Sequence, residues 1–167
     1  AGQTARSAVG MEDFLANFTG RLQAVADAHS LLAGKRWHDV PIGALAEQVL
    51  GADVASGRAR YQGPEVVLPA QQVLGLSMIL HELYTNSIKY GALCSDQGLI
   101  ELTWRAAAGE LTLIWAETGP PCPDKKPRSG FGQHMMEMAV KSDLGGTIER
   151  NWTTDGLSLT IRFPVAV

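Results

Sequence analysis

Residues 80–92, Leu-His-Glu-Leu-Tyr-Thr-Asn-Ser-Ile-Lys-Tyr-Gly-Ala, decide how the rest of the chain is read. They continue a helix expected to begin at Gln71 or Gln72. Val73, Leu76, Leu80, Leu83, Ser87 and Ile88 recur at helical spacing and form its inward stripe. A second set is polar: Glu82, Asn86, Lys89 and Tyr90 follow one another by four, three and one residues. On a helix this places a carboxylate, an amide and an ammonium on one side, one turn apart. Glu and Asn offer the oxygen ligands that Mg2+ prefers, and Lys can reach phosphate oxygens. Gly91 is expected to end the helix in left-handed geometry. An ordinary half-buried helix with solvated polar groups is the competing reading of this stretch alone.

Composition bounds the wider picture. A chain of 167 residues, 46% hydrophobic, can build one compact domain with a small appendage. A net charge of −3 without a Lys/Arg stripe excludes a nucleic-acid footprint. Lys125, Lys126 and Arg128 form only a small loop cluster. Cys94 and Cys122 make neither a disulfide framework nor a metal site, and two reduced thiols are expected. No signal peptide and no apolar run of transmembrane length is visible, so direct membrane insertion of these residues is not expected.

Outward from the central helix the patterning is clear in both directions. Residues 1–9 read as a short helical piece. In 11–33, Phe14, Leu15, Phe18, Leu22, Val25, Ala26, His29 and Leu32 make a wide apolar stripe for another helix, in this chain or a partner. Gly34 stops that helix. Pro41 is expected at the first turn of the next, 41–51, whose Ile42, Leu45, Ala46, Val49 and Leu50 face inward. Residues 58–68 are two extended pieces around Gly63-Pro64, closed by Pro69.

After residue 99 the period becomes two. LIELTWRA (99–106) and ELTLIWAE (110–117) form a hairpin through Ala107, Ala108 and Gly109. Residues 118–132, TGPPCPDKKPRSGFG, are a loop long enough to act as a lid. A helix over 133–143 ends at Leu144-Gly145-Gly146. A second hairpin pairs TIERNW (147–152) with LSLTIRFPV (157–165) around Asp155-Gly156. This order predicts an α+β fold, a mixed, largely antiparallel sheet with helices on one face.

Two further features carry chemistry. Glu117 ends a strand before Thr118-Gly119, where a carboxylate can accept from a nucleobase amine and glycine lets a planar ligand approach. A strand-end acid before a turn is the plain alternative. Gly130-Phe131-Gly132 leads into a helix, where glycine-turn amides can hold phosphate. A simple helix-start turn is the alternative there. Taken in series, the parts are those of an ATP site.

These motifs resemble the catalytic region of HWE-group sensor histidine kinases in the GHKL superfamily. The likeness is carried by His81 in HELYTNSIKYGAL, by Trp115 and Glu117 in WAETG, and by GFGQHMMEMAVKSDLGG at 130–146. FLANFTGRLQAVADAHSLL (14–32) resembles the second helix of that family's dimerisation and phosphoacceptor domain. The resemblance implies a Bergerat-type two-layer α/β sandwich over 36–167, preceded by a helical remnant over 1–35. It implies ATP and Mg2+ as ligands, with Asn86 the Mg2+ ligand and Glu82 acting through the metal's water. Glu82, His81 and Lys89 are the implied catalytic set, although a packed His81 remains open beside a catalytic one. Lys89 would contact phosphate, Tyr90 would frame the nucleotide and Glu117 would read adenine. Gly119, Gly130, Phe131 and Gly132 would line the nucleotide. Trp115 reads as packing rather than stacking.

Two departures stand out. Pro120 replaces a second glycine of the usual pattern, stiffening the loop and removing an N–H donor. The family's acceptor histidine would precede residue 1, and His29, His38, His81 and His134 do not match its context. The implied partners are a response-regulator receiver domain, the phosphoacceptor helix of the parent kinase and a second copy through 11–33. A cytoplasmic location goes with them. A silent interaction module docking through 11–33 is the alternative from another class.

Overall fold

The computed structural model describes residues 26, 30, 40–120, 131–153 and 156–165. The chain runs β1 (Val40–Pro41), α1 (Ile42–Ala55), β2 (Ala59–Gln62), β3 (Val67–Leu68) and α2 (Ala70–Tyr90). A 3-10 turn (Ala92–Cys94), β4 (Leu99–Ala107), β5 (Glu110–Thr118), α3 (Phe131–Ser142), β6 (Thr147–Thr153) and β7 (Gly156–Pro164) follow. Of the expected 11–33 helix, only Ala26 and Ser30 are described, both helical, with the Ser30 hydroxyl donating to the Ala26 carbonyl at 2.9 Å. The 1–9 piece, most of the 118–132 loop and the division at residue 35 fall outside the described residues.

Five strands form one sheet in the order β2-β4-β5-β7-β6. β2 runs parallel to β4, and the remaining neighbours are antiparallel. This is the mixed, largely antiparallel sheet that the alternation predicts. Strand period two sends Ile100, Leu102, Leu111, Leu113, Trp115, Leu159, Ile161 and Phe163 to one face, where all are buried. They join one core with Ile42, Leu45 and Leu50 of α1, Val73, Leu76, Leu80 and Leu83 of α2, and Met136 and Val140 of α3. Each fully buried apolar side chain contributes about 1.5–3 kcal/mol. The opposite face carries ion pairs such as Arg60–Glu101 at 2.8 Å and Arg162–Glu149 at 3.0 Å, which add little to stability at such exposure. The β4–β5 turn is a two-residue loop in which Ala108 and Gly109 both have positive φ, 53° and 79°, as the hairpin twist requires.

Several expectations are corrected. Pro41 does not open the helix. It is the N-cap, with extended φ −63° and ψ 141°, because Val40 and Pro41 pair with Leu68 and Val67 in a small second sheet. α1 runs on to Ala55, past the expected stop at 51. Gly91 ends α2 in extended backbone, φ −109° and ψ −153°, not left-handed. Ile88 shares the phase of the inward stripe yet is 45% exposed. Cys94 is disulfide-bonded rather than a free thiol, and Cys122 lies outside the described residues. Gly132 sits inside the first turn of α3 rather than ahead of it.

One buried polar group ties the helical layer together. Asp53, 2% exposed on α1, accepts from Arg58 at 2.5 Å and from the Tyr84 hydroxyl of α2 at 2.7 Å. Burial first, then the hydrogen bond to Asp53 and its charge, push Tyr84 from 10.0 up to about 12. An unfolded chain therefore loses this proton near pH 10 while the fold still holds it. The stability that Tyr84 supplies is complete below pH 10 and is lost as pH rises towards 12. Urea midpoints are expected to fall across that window, and Tyr84→Phe to show less of the fall. Equal slopes for the two proteins would remove the assignment.

Candidate functional site

The end of α2, the start of β4 and the end of β5 meet at Glu117. β5 brings Glu117 opposite Ile100, and Thr118 opposite Leu99. Glu117 is 5% exposed. Its Oε1 accepts from the Trp115 indole N–H at 2.9 Å. Its Oε2 accepts from the Ser87 hydroxyl at 3.1 Å and from the Ala92 backbone N–H at 2.9 Å. Ser87 in turn accepts from the Leu93 N–H at 3.3 Å. The two-residue spacing of Trp115 and Glu117 puts both side chains on the core face of one strand, and that lets the ring donate to the carboxylate. Trp115 is thus packing, as expected, and a hydrogen-bond donor as well.

Close backbone approach surrounds this carboxylate. A Cβ on Gly91 would overlap Glu117 Oε2, and one on Gly98 would overlap the Ala92 carbonyl. At Gly156, whose φ is +148°, a Cβ would overlap the Glu117 carbonyl. Gly119 has φ +155° and lies against Gly98, where a Cβ would come within 2.9 Å of the Gly98 Cα. Glycine stands at these four positions because α2, the 3-10 turn, β5 and the β6–β7 hairpin converge on one spot.

The second cluster lies between α2 and α3. Glu82, half-buried, comes so near the first turn of α3 that a Cβ on Gly132 would overlap its Oε1. A small cleft here is lined by Met78, Glu82, Gly132 and Met135 among others. A carboxylate beside the first turn of a helix, with its orphan N–H groups, marks ground that favours negative charge.

Asn86, Lys89 and Tyr90 are half-buried on α2 between the two clusters in sequence. His81 is half-buried and stands about 100° around the helix from Glu82. Gly130 lies outside the described residues, as does the side chain of Phe131. The structure therefore brings Glu117 together with Gly119, and Glu82 together with Gly132. Among the described residues no group of three or more His, Cys, Asp or Glu could hold a metal.

Residues 1–65 match the model of a family described as HWE histidine kinase. A blue-light-activated histidine kinase of Rhizobium johnstonii is 34% identical over 148 residues, covering 87% of this chain and 43% of that protein. Blue-light-activated histidine kinase 1 of Erythrobacter litoralis is 32% identical over 172 residues, covering 98% of this chain and 47% of that protein. The chain is similar to HWE histidine kinases. It spans less than half the length of these curated relatives. The fold agrees with solved histidine kinase structures. The histidine kinase domain of the Erythrobacter litoralis EL346 blue-light activated kinase superposes with a TM-score of 0.71 at 18% identity, over 89% of this chain and 75% of that one. The ATP binding domain of PrrB from Mycobacterium tuberculosis superposes at 0.57 with 19% identity, over 78% and 98%. No helix among the described residues is long and apolar enough to cross a membrane.

Sequence reasoning missed Ser87, the Ala92 amide, Gly98 and Gly156 as members of this cluster. Ser87 did leave a signal: a hydroxyl on the apolar stripe of a long helix must find a partner when buried. Gly98 and Gly156 left none, since loop glycines are common and only the converging elements make them necessary.

Proposed function

We propose that this chain is the ATP-binding catalytic region of a two-component histidine kinase, transferring the γ-phosphate of ATP to a histidine outside the 167 residues. The observation that carries the reading is the buried, fully oriented Glu117 carboxylate in its ring of glycines, an acceptor-only group suited to a nucleobase amine. The separation into a 1–35 helical piece and a 36–167 catalytic domain belongs to the same proposal.

The donor set fits the expected ligands. With no carboxylate cluster among the described residues, Mg2+ would rest on Asn86, on water held by Glu82 and on phosphate oxygens, as this ion tolerates. Bound there, it would neutralise charge on the triphosphate. Lys89 and the amides at the start of α3, from Gly130 to Gly132, would hold phosphate oxygens. Tyr90, Phe131 and Gly119 would frame the nucleotide. Glu82 would orient water or take the imidazole proton, with His81 beside it on the helix. Catalysis by such a site is positioning and charge stabilisation. A receiver domain, the phosphoacceptor helix and a second copy through 11–33 are the partners this function requires, and a cytoplasmic location suits them.

Calorimetric titration with a non-hydrolysable ATP analogue tests the reading, with Mg2+ and with EDTA, beside Asn86→Ala. Binding is expected to depend on Mg2+, and that dependence to disappear in the variant. A folded wild-type chain that binds no analogue would falsify the proposal. None of the four histidines resembles the acceptor. Incubation of this chain alone with labelled ATP is therefore expected to leave no base-stable, acid-labile phosphate, and its appearance would show an acceptor within the 167 residues.

A further inference from the structure

The Glu117 cage is more constrained than reading adenine alone requires, and the constraint falls unequally on its two oxygens. A carboxylate offers about four lone-pair positions. Oε2 receives two donors, the Ser87 hydroxyl and the Ala92 N–H. Oε1 receives one, the Trp115 indole. Among the described residues' donors, a single acceptor position on Oε1 is left over. A purine with a 6-amino group needs only one such acceptor. Guanine is different: its N1–H and 2-amino group together form a two-pronged donor that a free carboxylate takes with both oxygens at once. With Oε2 saturated and Oε1 half-used, that grip is denied.

We propose that Trp115 and Ser87 are positioning residues that set base selectivity, by holding the Glu117 carboxylate in a one-acceptor orientation that admits a 6-amino purine and refuses guanine. The inference rests on the nucleotide-site reading above and goes beyond it to two side chains that never touch the base. Both are completely buried, so their polar groups are committed to this contact rather than to solvent. The glycine at 91 belongs to the same device, since any Cβ there would drive Oε2 out of its place.

The experiment compares Mg-ATP and Mg-GTP, both as non-hydrolysable analogues, by calorimetry on the whole chain. Trp115→Phe keeps the buried ring and removes the N–H. Ser87→Ala removes the hydroxyl, and Ser87→Thr retains it. Trp115→Phe and Ser87→Ala are expected to weaken the ATP analogue on the order of tenfold. The GTP analogue should bind as before in Trp115→Phe, which leaves both Oε2 donors in place, and better in Ser87→Ala, which frees an acceptor position on Oε2. The selectivity ratio should therefore fall in both, and Ser87→Thr should restore it. A merely structural role would weaken both analogues together and leave the ratio unchanged, which overturns the inference. If Trp115→Phe does not fold, the Ser87 pair decides. A nucleotide-free reading comes from the Trp115 indole N–H in a nitrogen-correlated proton spectrum. It should resonate downfield in the wild type and move back in Glu117→Ala, which leaves no acceptor; an unmoved signal also overturns the inference. Wild-type binding that depends on Glu117, with an unaltered ratio in both variants, sinks this inference alone. A folded wild type that binds neither analogue sinks the site reading with it.

Discussion

Gly91→Ala is expected to abolish nucleotide binding, weakening Mg-ATP analogue affinity by at least about a hundredfold. The new methyl would overlap Glu117 Oε2 and stand only 2.9 Å from the Ser87 Cα. One obstacle is a carboxylate that three donors hold in place, and the other is backbone. Relief would require either pulling Glu117 from its cage or moving the end of α2 away from β5. The backbone at 91 is extended, so alanine meets no torsional penalty and the effect is one of space alone. Gly43→Ala is the control. It lies in α1 with nothing within 4 Å of the added Cβ, and there alanine should stabilise the protein by about 0.5–1 kcal/mol. Calorimetry for the first variant and urea melts for both give the check. Wild-type affinity in Gly91→Ala would show that the Glu117 carboxylate is not needed where it stands.

The contrast between these two glycines shows what was legible in the sequence. Periodicity reported which face of an element turns inward, because side-chain direction follows from backbone geometry alone. It therefore found the buried stripe of α2 and the core face of β5. It did not report how far a neighbour extends: Ile88 has the right phase, but near the end of α2 it is left 45% exposed. It also failed where a partner arrives from far along the chain. Asp53 lies beyond the expected helix end at 51 and carries no local signal; its partner Tyr84 is 31 residues on. Pro41 reads as a first-turn proline until β3 supplies a strand for it to pair with. Trp115 and Glu117 were singled out through resemblance, but the bond between them needed the strand. Ser87, 30 residues from Glu117, needed the whole fold.

Trp115→Ala is the substitution expected to cost the most stability, about 3–5 kcal/mol. Among the described residues Trp115 is the largest fully buried side chain, and it lies in the middle of the sheet. Its strand neighbours Leu102 and Leu159 are themselves 0% exposed, so nothing flexible can move in to fill the space. The truncation also takes one donor from the buried Glu117, adding the penalty of an under-satisfied carboxylate. For a domain of this size each kcal/mol lowers Tm by roughly 2–4 °C, so a fall on the order of 10 °C is expected. Trp152→Ala provides the comparison. Trp152 is 60% exposed on the edge strand β6, and its loss should change stability by no more than about 0.5 kcal/mol. Thermal melts of the two variants side by side separate burial from residue type. If both fell equally, the edge tryptophan would be buried by something in solution, and if neither fell, the sheet core would not be organised around Trp115.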